Sequence, residues 1–168
     1  MIRLMVIAVL FSFSFVGNAQ ASEPRLIGTY GDWSAYTFKE NGNKVCYMAS
    51  QPKTDVGNYT RRGDIFALVT HRPAEKTRDV FSYIAGYPYK SESEVVITAN
   101  GRTFKLFTQD ETAWTPDPES DRSLSNAIRA GSKMVVKGTS KRGTATTDTY
   151  SLSGSGKAYA AISKECGY

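Results

Sequence analysis

Two cysteines about 120 residues apart, Cys46 and Cys166, follow an N-terminal leader-like stretch, and that combination constrains the fold more than any other feature. Arg3 supplies a short positive start, Leu4–Val16 is a largely apolar run, and Ala19-Gln20-Ala21 has the small-x-small form of a signal-peptidase site. The pattern predicts cleavage between Ala21 and Ser22, leaving Ser22–Tyr168 as one exported domain. The run is short for a bilayer span, and no second apolar segment of spanning length follows it. An uncleaved N-terminal anchor is the alternative. No cysteine follows the predicted cleavage site to carry a lipid. In an oxidising compartment an isolated cysteine pair is most simply a disulfide, Cys46–Cys166, with free thiols or a bridge between chains as alternatives.

The chain between and around the cysteines has a short-strand cadence. Gly31-Asp32 leads into an alternating run that puts Trp33, Ala35 and Thr37 on one face and Ser34, Tyr36 and Phe38 on the other. Asn41-Gly42 predicts a tight hairpin, because a type I′ turn needs positive φ at both central residues. Lys44–Ser50 is the returning strand and carries Cys46. Pro52–Gly63 is polar and reads as a loop, and its Asn58-Tyr59-Thr60 triplet matters as a glycosylation acceptor only in a host with that pathway. Asp64–Arg72 is apolar on both faces, as a central strand covered on two sides would be. Arg78–Ala85 is a further strand, leading into Gly86-Tyr87-Pro88-Tyr89. Asn100-Gly101 joins Glu94–Ala99 to Arg102–Phe107 as a second hairpin. Glu111–Thr115 reads as a short edge strand, stopped by Pro116 and Pro118.

Two helices are expected. The first starts near Ser120 or Asp121 as cap, places Leu124, Ala127 and Ile128 on one stripe, and ends where Gly131 suits a C′ glycine. Lys133–Thr139 and Thr146–Leu152 then pair across Lys141-Arg142-Gly143. The second helix, Gly156–Lys164, aligns Tyr159, Ile162 and Cys166 on one side, with Ser153–Lys157 as a flexible lead-in. Many short strands with two brief helices define an all-β fold: an antiparallel sandwich or barrel-like single domain, its last helix C-terminal.

Known chemical motifs fail on inspection. His71 is the one histidine, so a zinc site built from two or three imidazoles is excluded, and it reads as a strand-end histidine partly packed against its neighbours. As a general base it would need a nucleophile and an orienting carboxylate, and linear sequence nominates neither. Ser153-Gly154-Ser155-Gly156-Lys157 resembles a phosphate loop, but that pattern needs Gly at 151 and Ser or Thr at 158, where Ser151 and Ala158 stand. Asp117, Glu119 and Asp121 alternate like the start of a calcium loop, yet Arg122 and Ile128 occupy the required Gly and Glu positions. No cofactor or metal is expected.

The chain holds 21 Lys+Arg against 16 Asp+Glu, a mild basic excess far from a nucleic-acid footprint, and export removes nucleic acid as a partner. Arg61-Arg62 and Lys141-Arg142 fall at turns and read as solvated charge, with a binding patch as the alternative. Ten tyrosines and two tryptophans are either the filling of a small β-fold or part of a contact surface for protein or carbohydrate. Tyr87 and Tyr89, flanking Pro88, are the candidate surface contact.

The order of three stretches carries a resemblance. Gly31-Asp32-Trp33, the strand Cys46-Tyr47-Met48-Ala49-Ser50-Gln51-Pro52, and the C-terminal pair Gly131–Ser140 and Thr147–Gly154 together resemble the invasion-associated locus B family of exported bacterial proteins. The resemblance covers nearly all of the chain after the leader. It implies a periplasmic or secreted β-sandwich-like domain of alphaproteobacteria, linked in some pathogens to host-cell invasion. It supplies no catalytic residue to carry over. Relatives often have a cysteine a few residues after the Gly-Asp-Trp, where this chain has Tyr36, so an extra disulfide is not implied. The expected function is that of a non-enzymatic exported protein acting through surface contacts with an envelope or host protein or glycan. The alternative is an envelope hydrolase whose paired carboxylates meet only in space.

Overall fold

The computed structural model describes residues 22–168. The predicted leader and Ala21 of the predicted cleavage site lie outside the described residues. Ser22 begins the described chain, with its N–H donating to the Lys39 carbonyl at 2.9 Å.

In chain order the elements are β1 (Arg25–Tyr30), β2 (Trp33–Glu40), β3 (Asn43–Ser50), β4 (Thr54–Gly57), β5 (Phe66–Arg72), β6 (Thr77–Ile84), β7 (Glu94–Ala99), β8 (Arg102–Gln109) and β9 (Thr112–Trp114). Then follow α1 (Pro118–Ala130), β10 (Lys133–Thr139), β11 (Ala145–Ser151) and α2 (Ser155–Cys166). The strands form one antiparallel sheet in the order β1-β2-β3-β5-β6-β9-β8-β7-β10-β11-β4. Asn41-Gly42 and Asn100-Gly101 both turn with positive φ at each residue, as type I′ hairpins require.

The sheet is open but strongly curled. β3 lies near one end of the order and β4 at the other, yet only Gln51, Pro52 and Lys53 join them. Four Cα steps span on the order of 15 Å at most, so the two ends must approach each other. They do: the Asp32 N–H donates to the Ser153 carbonyl at 3.0 Å, and the Trp33 indole N–H to the Ser151 carbonyl at 3.1 Å. This gives the expected all-β, barrel-like form. Alternate residues of each strand fill its interior, with Trp33, Met48, Phe81, Tyr83, Ile97, Leu106, Met134 and Tyr150 all fully buried.

Several expectations shift. β1 and β4 have no strong sequence signal, because each is an edge that needs hydrogen bonds to only one neighbour. β9 is interior, lying between β6 and β8, since Pro116 and Pro118 fall beyond the strand and leave its ladder intact. The outward face of β5 (Phe66, Leu68, Thr70) is half-buried, so that strand is covered fully on one side only. The cap of α1 is Asp117, whose carboxylate accepts from the Ser120 N–H at 2.8 Å and its hydroxyl at 3.0 Å. Asp121 is instead drawn inward, accepting from the Phe81 N–H at 2.8 Å and from the Thr115 hydroxyl. Gly131 has φ −88°, an extended conformation and not a left-handed C′.

α1 and α2 pack against each other and against the sheet. Leu124, Ala127 and Ile128 of α1 are buried, as are Tyr159, Ile162 and Cys166 of α2. The lead-in to α2 is tightly held: Gly154 turns at φ +88° against the Tyr30 carbonyl, and the buried Ser155 hydroxyl donates to the Ile128 carbonyl at 2.9 Å. A side chain at 154 would collide with that carbonyl, so glycine is required there. Cys166 at the end of α2 is bonded to Cys46 of β3, with Cα atoms 6.1 Å apart.

Candidate binding cleft

The disulfide and the larger cleft lie at opposite ends of β6. Near its start, Asp79 meets His71, which pairs with Cys46 across the sheet. Just past its other end, the Ala85 carbonyl accepts from Arg62 Nε at 2.7 Å. Arg62 comes from the loop after β4, and its side chain is 3% exposed. The guanidinium grips Asp148 of β11 with two bonds, 2.6 Å to Oδ1 and 2.7 Å to Oδ2. The Tyr83 hydroxyl donates to the same carboxylate. Burial alone would lower the Arg62 pKa; hydrogen bonding and charge from Asp148 outweigh it and hold the guanidinium protonated.

Arg62, with Asp148 behind it, forms the floor of a cleft of about 530 Å³. One wall is the 58–63 loop, the second is Gly86-Tyr87-Pro88, and the third is the turn between β10 and β11 with Ser140, Lys141, Arg142 and Thr144. The Arg62 guanidinium lies 4.9 Å from the Tyr87 ring centre and 5.5 Å from that of Tyr59. Tyr87 is fixed by a 2.6 Å hydrogen bond between its hydroxyl and Thr146 Oγ1. The two loops touch at glycines, the Gly63 N–H donating to the Gly86 carbonyl at 2.9 Å, and Gly86 sits at φ +70°. A Cβ on Gly86 would strike the Gly63 backbone, which explains a glycine at this contact.

The predicted contact pair divides here. Tyr87 is half-buried and lines the cleft, whereas Tyr89 is only 7% exposed and belongs to the core. Tyr89 forms an isolated bridge with Ser140, so the β alternation continues into the loop: Pro88 points out while Tyr87 and Tyr89 point in. Their rings meet edge-on at 5.3 Å. Burial raises the phenol pKa of both, so neither ionises near neutrality.

The two basic dipeptides, 80 positions apart in the chain, converge on this cleft. Solvated charge fits Arg61, Lys141 and Arg142, which are exposed, but fails for Arg62. Arg61, Lys141 and Arg142 form no ion pair among the described residues, and no carboxylate lines the cleft. The sequence does hold one clue to Arg62. Asp148 alternates with Thr146 and Tyr150 on the inward face of β11, and a charge at an inward strand position calls for a buried partner.

His71 is completely buried, deeper than a partly packed strand end. Its Nδ1 accepts from the Asp79 N–H at 3.1 Å, which places the ring proton on Nε2, facing Ser163 Oγ at 3.1 Å. A Ser-His-Asp relay needs the reverse: Nε2 free to accept from serine and Nδ1–H donating to a carboxylate. Burial lowers the His71 pKa, with Asp79 opposing, so the ring is neutral. The Asp79 carboxylate is engaged by the Tyr159 hydroxyl at 2.6 Å and by Arg78 Nε at 3.2 Å.

A shallower depression of about 360 Å³ lies over Ser34, Tyr36, Ser50 and Phe66, where Asp32 pairs with Lys53. Asp32 is its one acidic lining residue. Among the described residues no cluster of three or more His, Cys, Asp or Glu side chains is placed to hold a metal ion, and no helix is long and apolar enough to cross a membrane.

Fold and site define a disulfide-clasped, single-sheet β-domain with a cation-rimmed cleft opposite its clasp. The family model described as "Invasion associated locus B (IalB) protein" matches residues 33–163, and the chain belongs to that family. No match was found among curated proteins or among solved structures.

Proposed function

We propose that this protein is exported and acts, without catalysis, by holding an envelope or host component in the cleft beside Tyr87. The observation that carries the reading is the convergence of Arg61, Lys141 and Arg142, all without an acidic partner among the described residues, on a preformed pocket. Cations left unpaired around a concavity are complementary to a negative partner and raise its encounter rate. Family membership, the disulfide and the leader-like N-terminus all support export to an oxidising compartment. Cleavage between Ala21 and Ser22 is part of this proposal.

The hydrolase alternative has no observation in its favour. The larger cleft is lined by no carboxylate and the shallower one by Asp32 alone, whereas glycoside hydrolysis needs two facing carboxyl groups.

Binding of labelled protein to envelope fractions and to host cells tests the reading, comparing the unmodified protein with Lys141→Ser/Arg142→Ser. Markedly weaker binding of the variant to either surface is the expected outcome. Equal binding of both to every surface removes the cleft as the contact face. Tyr89→Ala is unsuitable as a probe, because it would open a cavity in the core.

A further inference from the structure

We propose that the cleft takes an anionic oligosaccharide, a ligand with a neutral hydroxylated body and acid groups on its flanks. This deepens the reading above and rests on it. The division of charge within the cleft is the basis. Asp148 neutralises the Arg62 guanidinium and the Ala85 carbonyl takes its Nε–H, so the floor offers no uncompensated cation for a lone phosphate. The free cations stand on the rim, Arg61 on one wall and Lys141-Arg142 on another. Cations on two walls suit a ligand that carries more than one acid group. A chain bearing acid groups at intervals can meet both.

Between the rims the lining suits sugar. Asn58 and Thr144 contribute an amide and a hydroxyl, which can donate to and accept from ring hydroxyls, and Tyr87 adds apolar surface for the C–H face of a ring. The volume lies within the range of about 300–1,000 Å³ usual for small-ligand sites. The wall backbones are already tied by the Arg62–Asp148 pair, the Gly63–Gly86 contact and the Lys141 N–H donating to the Pro88 carbonyl, so little backbone freedom is lost on binding. An acidic peptide would also match the rim charge, so a polyanion without sugar hydroxyls is the competitor the test must separate.

Titration calorimetry on the disulfide-intact protein, with heparin-derived oligosaccharides and oligogalacturonates, tests this. Dextran serves as the neutral sugar and polyglutamate as the non-sugar polyanion. The expected result is saturable binding of at least one acidic oligosaccharide, weakened by salt, with no binding of dextran. Lys141→Ser/Arg142→Ser should lower that affinity by about tenfold or more. Asn58→Ala/Thr144→Val, which leaves the charge unchanged, should weaken the oligosaccharide and leave polyglutamate unaffected. Vesicles carrying lipopolysaccharide, set against the free oligosaccharides, separate a lipid-anchored source of acid sugar from a free one. Polyglutamate binding as tightly as the sugars, or sugar binding indifferent to both variants, overturns the proposal. If no acidic sugar binds while Lys141→Ser/Arg142→Ser still loses its cell or envelope contact, the ligand class is wrong and the cleft reading stands.

Discussion

Arg62 and Asp148, 86 positions apart, form a two-pronged ion pair with side chains only 3% and 1% exposed. A loop residue thereby reaches into the sheet interior and fixes one wall of the cleft. Such a pair need not stabilise the protein more than apolar residues of the same volume would, because both charges must be desolvated. What it secures here is the position of the 58–63 loop.

Arg62→Ala should therefore cost about 3–5 kcal/mol in denaturant unfolding, since it leaves the Asp148 carboxylate buried without its counter-charge. Arg62→Ala combined with Asp148→Ala should cost clearly less than the sum of the single changes, a coupling that a double-mutant cycle measures. Additive costs would show that the two groups act independently.

The Cys46–Cys166 bond closes a loop of 120 residues. Cys46→Ser or Cys166→Ser should lower stability by about 2–5 kcal/mol relative to the oxidised protein, chiefly because the unfolded chain regains freedom. The midpoint of urea unfolding with and without reductant checks this. An unmoved midpoint would mean that the clasp contributes nothing to stability.

Acid should weaken the fold through His71. Its folded pKa is depressed below the ordinary 6.5 by burial, so the unfolded state takes up the proton first. Stability contributed by the neutral ring is complete above about pH 6.5 and is lost as pH falls toward the lower folded value. The charged groups nearby are Asp79 and Arg78 on β6, and Tyr159 and Tyr168 pack edge-on against the ring. Melting temperature should drop as pH falls below about 6.5, and His71→Gln should flatten that slope whatever its own stability. An equally steep slope in the variant would assign the effect to other groups.

At the start of α1, Asp117→Ala removes the acceptor of the Ser120 N–H and should lower the melting temperature. Asp117→Asn should recover most of that loss. Thermal unfolding of the two variants separates capping from the effect of charge alone; equal losses would make the charge decisive.

Local features of the fold were legible in the sequence wherever neighbours in the chain set the conformation. Both Asn-Gly hairpins, the alternation of β2, the pairing of β10 with β11 and the inward stripe of α2 depend on turn chemistry and side-chain period. Edge strands β1 and β4 were not legible, because their existence depends on an available neighbour. Nor was the interior place of β9, which is set by partners arriving from β6 and β8. The cleft was only half legible. Tyr87 stood out beside a proline, but Tyr89 looks the same in sequence and is buried.

The sequence by itself determined the leader-like N-terminus, the family, the all-β class and the two cysteines available to be joined. These follow from residue types and their local spacing. Only the tertiary structure decided which arginine is buried, that His71 carries its proton on Nε2, and that Arg61 shares a rim with Lys141 and Arg142. The reason is physical: charge pairing, tautomer and concavity depend on distances through space, and the curl of one sheet brings together residues far apart along the chain.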